Sequence, residues 1–61
     1  MTNTYIKKFS PNASHHEIRD FEIDILGDPE KINEDDDFDV EYYSEDSCKV
    51  VKITIIKRRL N

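Results

Sequence analysis

Val50-Val51-Lys52-Ile53-Thr54-Ile55-Ile56 is the stretch on which the fold turns. Every residue in it except Lys52 is β-branched, and such side chains lose rotamer freedom in a helix but pack well on a pleated surface. We read a strand from Lys49 to Arg58. Its two-residue period puts Val51, Ile53 and Ile55 on one face, and Val50, Lys52, Thr54 and Ile56 on the other.

A strand needs a partner, and the nearest lies just upstream. Asp37-Phe38-Asp39-Val40-Glu41-Tyr42 alternates acid and apolar residues without a break, which predicts a half-buried strand with Phe38, Val40 and Tyr42 toward the core. Ser44-Glu45-Asp46-Ser47 between the two runs is a polar cluster of hairpin length, although it lacks the Asn-Gly or Asp-Gly signature.

Further out, Asp20-Phe21-Glu22-Ile23-Asp24-Ile25-Leu26 repeats the alternation and is stopped by Gly27-Asp28-Pro29. A helix competes for this segment. Ser14 and Glu17 have capping-box spacing, Ile18, Phe21 and Ile25 recur at i, i+3 and i+7, and Gly27 stands where a C-cap would. Ile23 fits the two-residue period and spoils the helical one, which favours strand. Asp28-Pro29 has the form of a helix start and predicts a helical turn or two over Pro29 to Asn33. Tyr5 to Phe9 is a candidate fourth strand, and residues 1–16 are expected to be partly ordered.

The chain is thus expected to form one small domain over residues 1–61, mainly β or a small α+β fold. Its predicted architecture is an antiparallel meander of three to four strands with a C-terminal hairpin and at most one short helix. The expected core is Phe9, Phe21, Ile23, Ile25, Phe38, Val40, Tyr42, Val51, Ile53 and Ile55. Leu26, Tyr43, Val50 and Ile56 fall in the opposite phase, leaving apolar surface for a second copy or a covering N-terminal segment.

Composition constrains this domain from several sides. At 61 residues it buries only about 60% of the surface of its unfolded chain. Charged residues, at 38%, slightly outnumber hydrophobic ones, at 36%, so order depends on the patterning described above. The single cysteine, Cys48, forms no internal bridge and fits a reducing, cytoplasmic setting better than a secreted scaffold, with an intermolecular disulfide the alternative. No apolar run has the length of a signal-peptide core or a membrane span, so neither membrane insertion nor secretion is expected.

Charge is strongly segregated. All fourteen acidic residues fall between Glu17 and Asp46, a window that contains only Arg19 and Lys31 as bases, whereas the flanks carry bases alone. Glu34, Asp35, Asp36, Asp37, Asp39, Glu41, Glu45 and Asp46 crowd into the last part of that window. Pairing across the hairpin with Lys49 and Lys52 would contribute roughly 0.2–1 kcal/mol per pair, but the bases are too few to neutralise the acids. The surplus produces a negative field suited to a basic partner.

Asp37, Asp39 and Glu41 would project from one face of a strand about 6.4–6.8 Å apart. Two phosphate steps along one strand of DNA span about the same distance, roughly 3.4 Å each. The expectation is therefore a non-enzymatic acidic binding module that presents these eight carboxylates to a basic protein surface, such as that of a nucleic-acid-binding protein, as an inhibitor or DNA mimic. In kind it is like the small acidic inhibitors that phages and plasmids carry. The alternative is a structural or regulatory homo-oligomer, such as a homodimer, that uses the spare apolar face or the edge of the Lys49 to Arg58 strand.

Other chemistries fit poorly. Asp35, Asp37, Asp39 and Asp46 match four positions of a calcium-loop template, but Val40 stands where the template needs glycine and the flanks read as strand. His15 and His16 are adjacent and diverge, with no CxxC or HxxxH spacing to complete a zinc site. Cys48 with either histidine lacks a recognised nucleophile arrangement, and so small a sheet has little room for a substrate pocket. We therefore expect no enzyme, metal or cofactor. Lys57-Arg58-Arg59 is a short basic end, and direct nucleic-acid binding is disfavoured by the overall charge of −5.

Overall fold

The computed structural model describes residues 2–58. Strand β1 spans Thr2–Phe9, helix α1 His15–Leu26, strand β2 Asp37–Glu45 and strand β3 Cys48–Ile56. The sheet order is β1-β3-β2 with both pairings antiparallel, so β3 is the centre of the sheet. The described residues are mainly β, with three antiparallel strands and one short helix.

The central position of β3 follows from its composition. Val51, Ile53 and Ile55 are fully buried beneath α1, each stabilising the fold by about 1.5–3 kcal/mol. Val50 points to the other face, yet is only 2% exposed because the register sets it between Lys8 and Tyr43. Because both edges of β3 are paired, the self-association expected along its edge has no free backbone to use.

The expected hairpin forms, with a turn tighter than the four-residue cluster suggested. Glu45 pairs directly with Cys48, leaving a two-residue loop. Asp46 and Ser47 both adopt positive φ, 52° and 67°, which matches the right-handed twist of the strands. Without glycine this geometry costs conformational energy, least for Asp.

The segment Asp20–Leu26 is helix and not strand. Ser14 accepts from the backbone N–H of Glu17, and the Glu17 carboxylate accepts from the N–H of Ser14 at 2.9 Å, a complete capping box. From that start Ile18, Phe21 and Ile25 fall on the sheet-facing side, and the alternation that favoured a strand costs only one exposed residue, Ile23. Gly27 closes the helix, its N–H donating to the Ile23 carbonyl at 2.7 Å. A Cβ on Gly27 would lie 2.7 Å from that same oxygen, so the close approach requires glycine.

Pro29 to Asn33 forms a turn and no helix. The Asp28 carbonyl accepts from Lys31 and Ile32, and the Asp28 side chain accepts from the Glu30 N–H, but the pattern is not propagated. The N-terminal segment is more regular than expected, since β1 is a full eight-residue strand that begins at Thr2.

Helix α1 packs its backbone across β1 and β3, and its contact with β2 is through side chains. This decides the core. Phe9, Ala13, Ile25, Val51, Ile53 and Ile55 form its centre, with Tyr5, Ile18, Phe21, Leu26, Ile32 and Val40 packed around them. Phe9 and Phe21 meet edge to face at 6.0 Å, and Lys7 stands over both rings. Phe38 and Tyr42, expected in the core, have the right phase but lie at the margin of α1 and remain exposed.

Candidate partner-binding surface

The two faces of the sheet differ in what they offer. One carries α1. The other, the open face, presents Asp37, Asp39, Glu41, Tyr43 and Glu45 from β2, Lys52, Thr54 and Ile56 from β3, and Thr4, Ile6 and Lys8 from β1. Acids therefore line the β2 edge, and no acid stands on β1.

The eight carboxylates expected to act together are divided by the fold. Asp37, Asp39 and Glu41 are exposed in a row on the open face, about 6.4–6.8 Å apart along the strand. Glu34 and Asp35 are exposed in the turn before the strand, and Glu45 and Asp46 stand at the hairpin end. Asp36 alone turns inward. It accepts from the Asn33 N–H at 2.9 Å, from Lys57 Nζ at 3.0 Å and from the Arg58 N–H at 3.4 Å, and its side chain has no exposed surface. These contacts, the Asn33 N–H first and Lys57 next, hold its carboxyl below the ordinary value of 3.8 against the opposing effect of burial. Asp36 ties the loop to the end of β3 and is not offered to a partner.

The remaining acids are unequally neutralised. Arg58 pairs with Asp37, and Lys8 lies 3.9 Å from Glu45 and 3.4 Å from Asp46. These pairs are exposed, and each contributes about 0–1 kcal/mol. Glu41 stands opposite Lys52 and Asp39 opposite Thr54 in the register. Among the described residues, Glu34, Asp35, Asp39 and Glu41 make no ion pair, so of these eight carboxylates the unneutralised ones lie along the middle of β2 and in the turn before it. Arg59 of the expected basic end lies outside the described residues.

The helix adds acids of its own. Glu17, Asp20 and Asp24 flank a groove of about 370 Å³ that also contains Lys7 and Lys8. Glu22 turns to the opposite flank, where it accepts from the Tyr42 hydroxyl at 2.8 and 2.9 Å. That hydrogen bond, with burial, raises the pKa of the Tyr42 phenol above its ordinary 10.0. The contact spans the space that α1 leaves above β2.

The other candidate sites take definite places. Asp37 and Asp39 of the calcium template lie in line along β2, with Asp46 at the far end of the strand, an extended arrangement that cannot wrap an ion. Among the described residues no three His, Cys, Asp or Glu side chains are grouped so as to hold a metal. His15 and His16 occupy the first turn of α1, and Cys48 is a half-buried free thiol beside the hairpin turn. Among the described residues no helix is long and apolar enough to cross a membrane.

Sequence reading missed the exposure of Phe38 and Tyr42. The signal for it was Ile18, Phe21 and Ile25 at helical spacing, because one short helix cannot cover three strands. Compared with known proteins, the chain matches no family model, no curated protein and no solved structure.

Proposed function

We propose that this chain is a non-enzymatic acidic binding module that presents its β2 carboxylates to a basic surface on a nucleic-acid-binding protein, acting as an inhibitor or DNA mimic. The observation that carries this reading is the row of Asp37, Asp39 and Glu41, exposed on one face of an outer strand and continued at both ends by Glu34, Asp35, Glu45 and Asp46. Spacing near two phosphate steps and an excess of negative charge suit a groove built for DNA. The module then acts in the reducing interior of a cell, the setting that a lone unpaired cysteine favours.

The test is affinity capture on the immobilised protein, with elution by a salt gradient and competition by duplex DNA. A nucleic-acid-binding protein that leaves at moderate salt and is displaced by DNA is the expected result. Joint replacement Asp37→Asn, Asp39→Asn and Glu41→Gln should lower the eluting salt while leaving the melting temperature nearly unchanged. Unaltered retention of the captured protein by that variant overturns the reading.

A second reading is a homo-oligomer formed through the open face. It is favoured by Ile6, Tyr43 and Ile56, which are 58%, 40% and 40% exposed on that face. It requires a melting temperature that rises with protein concentration, and a melt independent of concentration removes it.

A further inference from the structure

Among the described residues the outer edge of β2 is unpaired, and it has three properties in register. A two-residue turn with Glu45 opposite Cys48 closes the ladder on a hydrogen-bonded pair, and bonded pairs recur at every second residue from there. Asp37, Asp39, Glu41 and Tyr43 therefore turn their backbone groups to β3. Phe38, Val40, Tyr42 and Ser44 turn theirs outward. The same alternation sends the acids to the open face and Phe38, Val40 and Tyr42 to the helix face, where Val40 packs at the margin of the core and Phe38 and Tyr42 stay largely exposed.

On that side the strand forms an apolar shelf. Phe38 is 54% exposed and Tyr42 63%. Beside Phe38 lies a groove of about 290 Å³ bounded by Leu26, Ile32 and Glu34, and beside Tyr42 one of about 440 Å³ with Ile18 on its floor and Arg19, Glu22 and Lys49 at its rim. The strand thus offers unpaired backbone groups, an acidic row above them and an apolar shelf below.

We propose that this edge accepts a fourth strand, an extended segment of the partner protein in which basic residues alternate with apolar ones. Each basic residue then lies opposite Asp37, Asp39 or Glu41, and each apolar residue packs on Phe38, Val40 or Tyr42. The free backbone groups of β2 fix the register, as in other cases of strand addition. A second copy of β2 is a poor occupant, because antiparallel self-pairing centred on its acids sets like charges against each other. This inference rests on the acidic-module reading and specifies how the basic partner is held.

The probe is a seven-residue capped peptide, Lys-Val-Lys-Ile-Lys-Val-Lys, used with two N-methylated forms. One is methylated at every Lys amide and the other at every Val and Ile amide. In a paired strand alternate amides face the neighbour, so strand addition requires one methylated form to bind about tenfold or more weakly while the other matches the parent. The blocked set reports the direction of the added strand. On the protein, Phe38→Ser with Tyr42→Ser should weaken the parent peptide similarly, and amide exchange should slow at Phe38, Val40 and Tyr42 when it binds.

Equal, salt-sensitive binding of all three peptides overturns strand addition and leaves the acidic-module reading intact. Binding of none of them also overturns it, and capture with the amide variant then judges the broader reading separately. A free protein that sediments as a dimer with those three amides already protected overturns it in favour of a second copy.

Discussion

The ammonium of Lys57 stands 3.0 Å from the carboxylate of Asp36, and the same nitrogen donates to the Lys31 carbonyl at 2.6 Å. One basic side chain just past β3 thus holds both the loop after α1 and the start of β2. With its carboxyl held below the ordinary value of 3.8, the folded chain binds a proton at Asp36 less readily than the unfolded chain. The resulting stability is complete above 3.8 and is lost as pH falls through the folded value. Asp36→Asn should lower the melting temperature at neutral pH, and its deficit against the native chain should shrink as the pH drops below 3.8. A deficit that is constant across that range would assign the loss to geometry instead of charge.

The hairpin turn holds two residues without Gly in left-handed backbone. Ser47→Gly should stabilise the fold by about 0.5–1 kcal/mol, raising the melting temperature by about 4–8 °C per kcal/mol in a domain of this size. Calorimetry on the single variant suffices. A fall in melting temperature would show that the added freedom of the unfolded chain outweighs the strain removed.

Two isoleucines separate the helix from the strand reading. Ile53 is fully buried and Ile23 is 55% exposed. Ile53→Val should cost about 0.5–1.5 kcal/mol and Ile53→Ala about 2–5 kcal/mol. The latter is a large share of the stability of so short a chain, about 0.05–0.15 kcal/mol per residue. Ile23→Ala should change stability by no more than about 0.5 kcal/mol. Denaturant melts of the three variants give the comparison directly.

The Tyr42 hydroxyl reports on the gap between α1 and β2. Its titration should lie above the ordinary 10.0 in the native chain, chiefly because the Glu22 carboxylate accepts a hydrogen bond from the protonated phenol. Glu22→Gln should bring it down toward 10.0, as followed by NMR of the ring during a pH titration. An unchanged value would mean that the phenol is shifted by burial alone.

Much of this fold was legible in local pattern. The β-branched run at Val50 to Ile56 and the alternation at Asp37 to Tyr42 each report one side-chain period, and the polar cluster between them leaves antiparallel pairing as the short connection. The segment from Asp20 to Leu26 carried two patterns at once. The capping box at Ser14 and Glu17 decided it, because a satisfied start lowers the cost of nucleating a helix that the sheet then stabilises by burial. The acidic row on β2 was visible for the same reason as the strand, since its carboxylates share the period.

By itself the sequence determined strands β2 and β3, the hairpin that joins them and the segregation of charge, all properties of residues near one another along the chain. The tertiary structure alone decided that β1 joins on the far side of β3, that α1 covers β1 and β3 but not β2, and that Asp36 turns inward to Lys57. Those outcomes depend on where a single helix settles on the sheet, a balance of long-range packing that no local period encodes. That placement leaves Phe38 and Tyr42 exposed and makes β2 a strand with one side unpartnered.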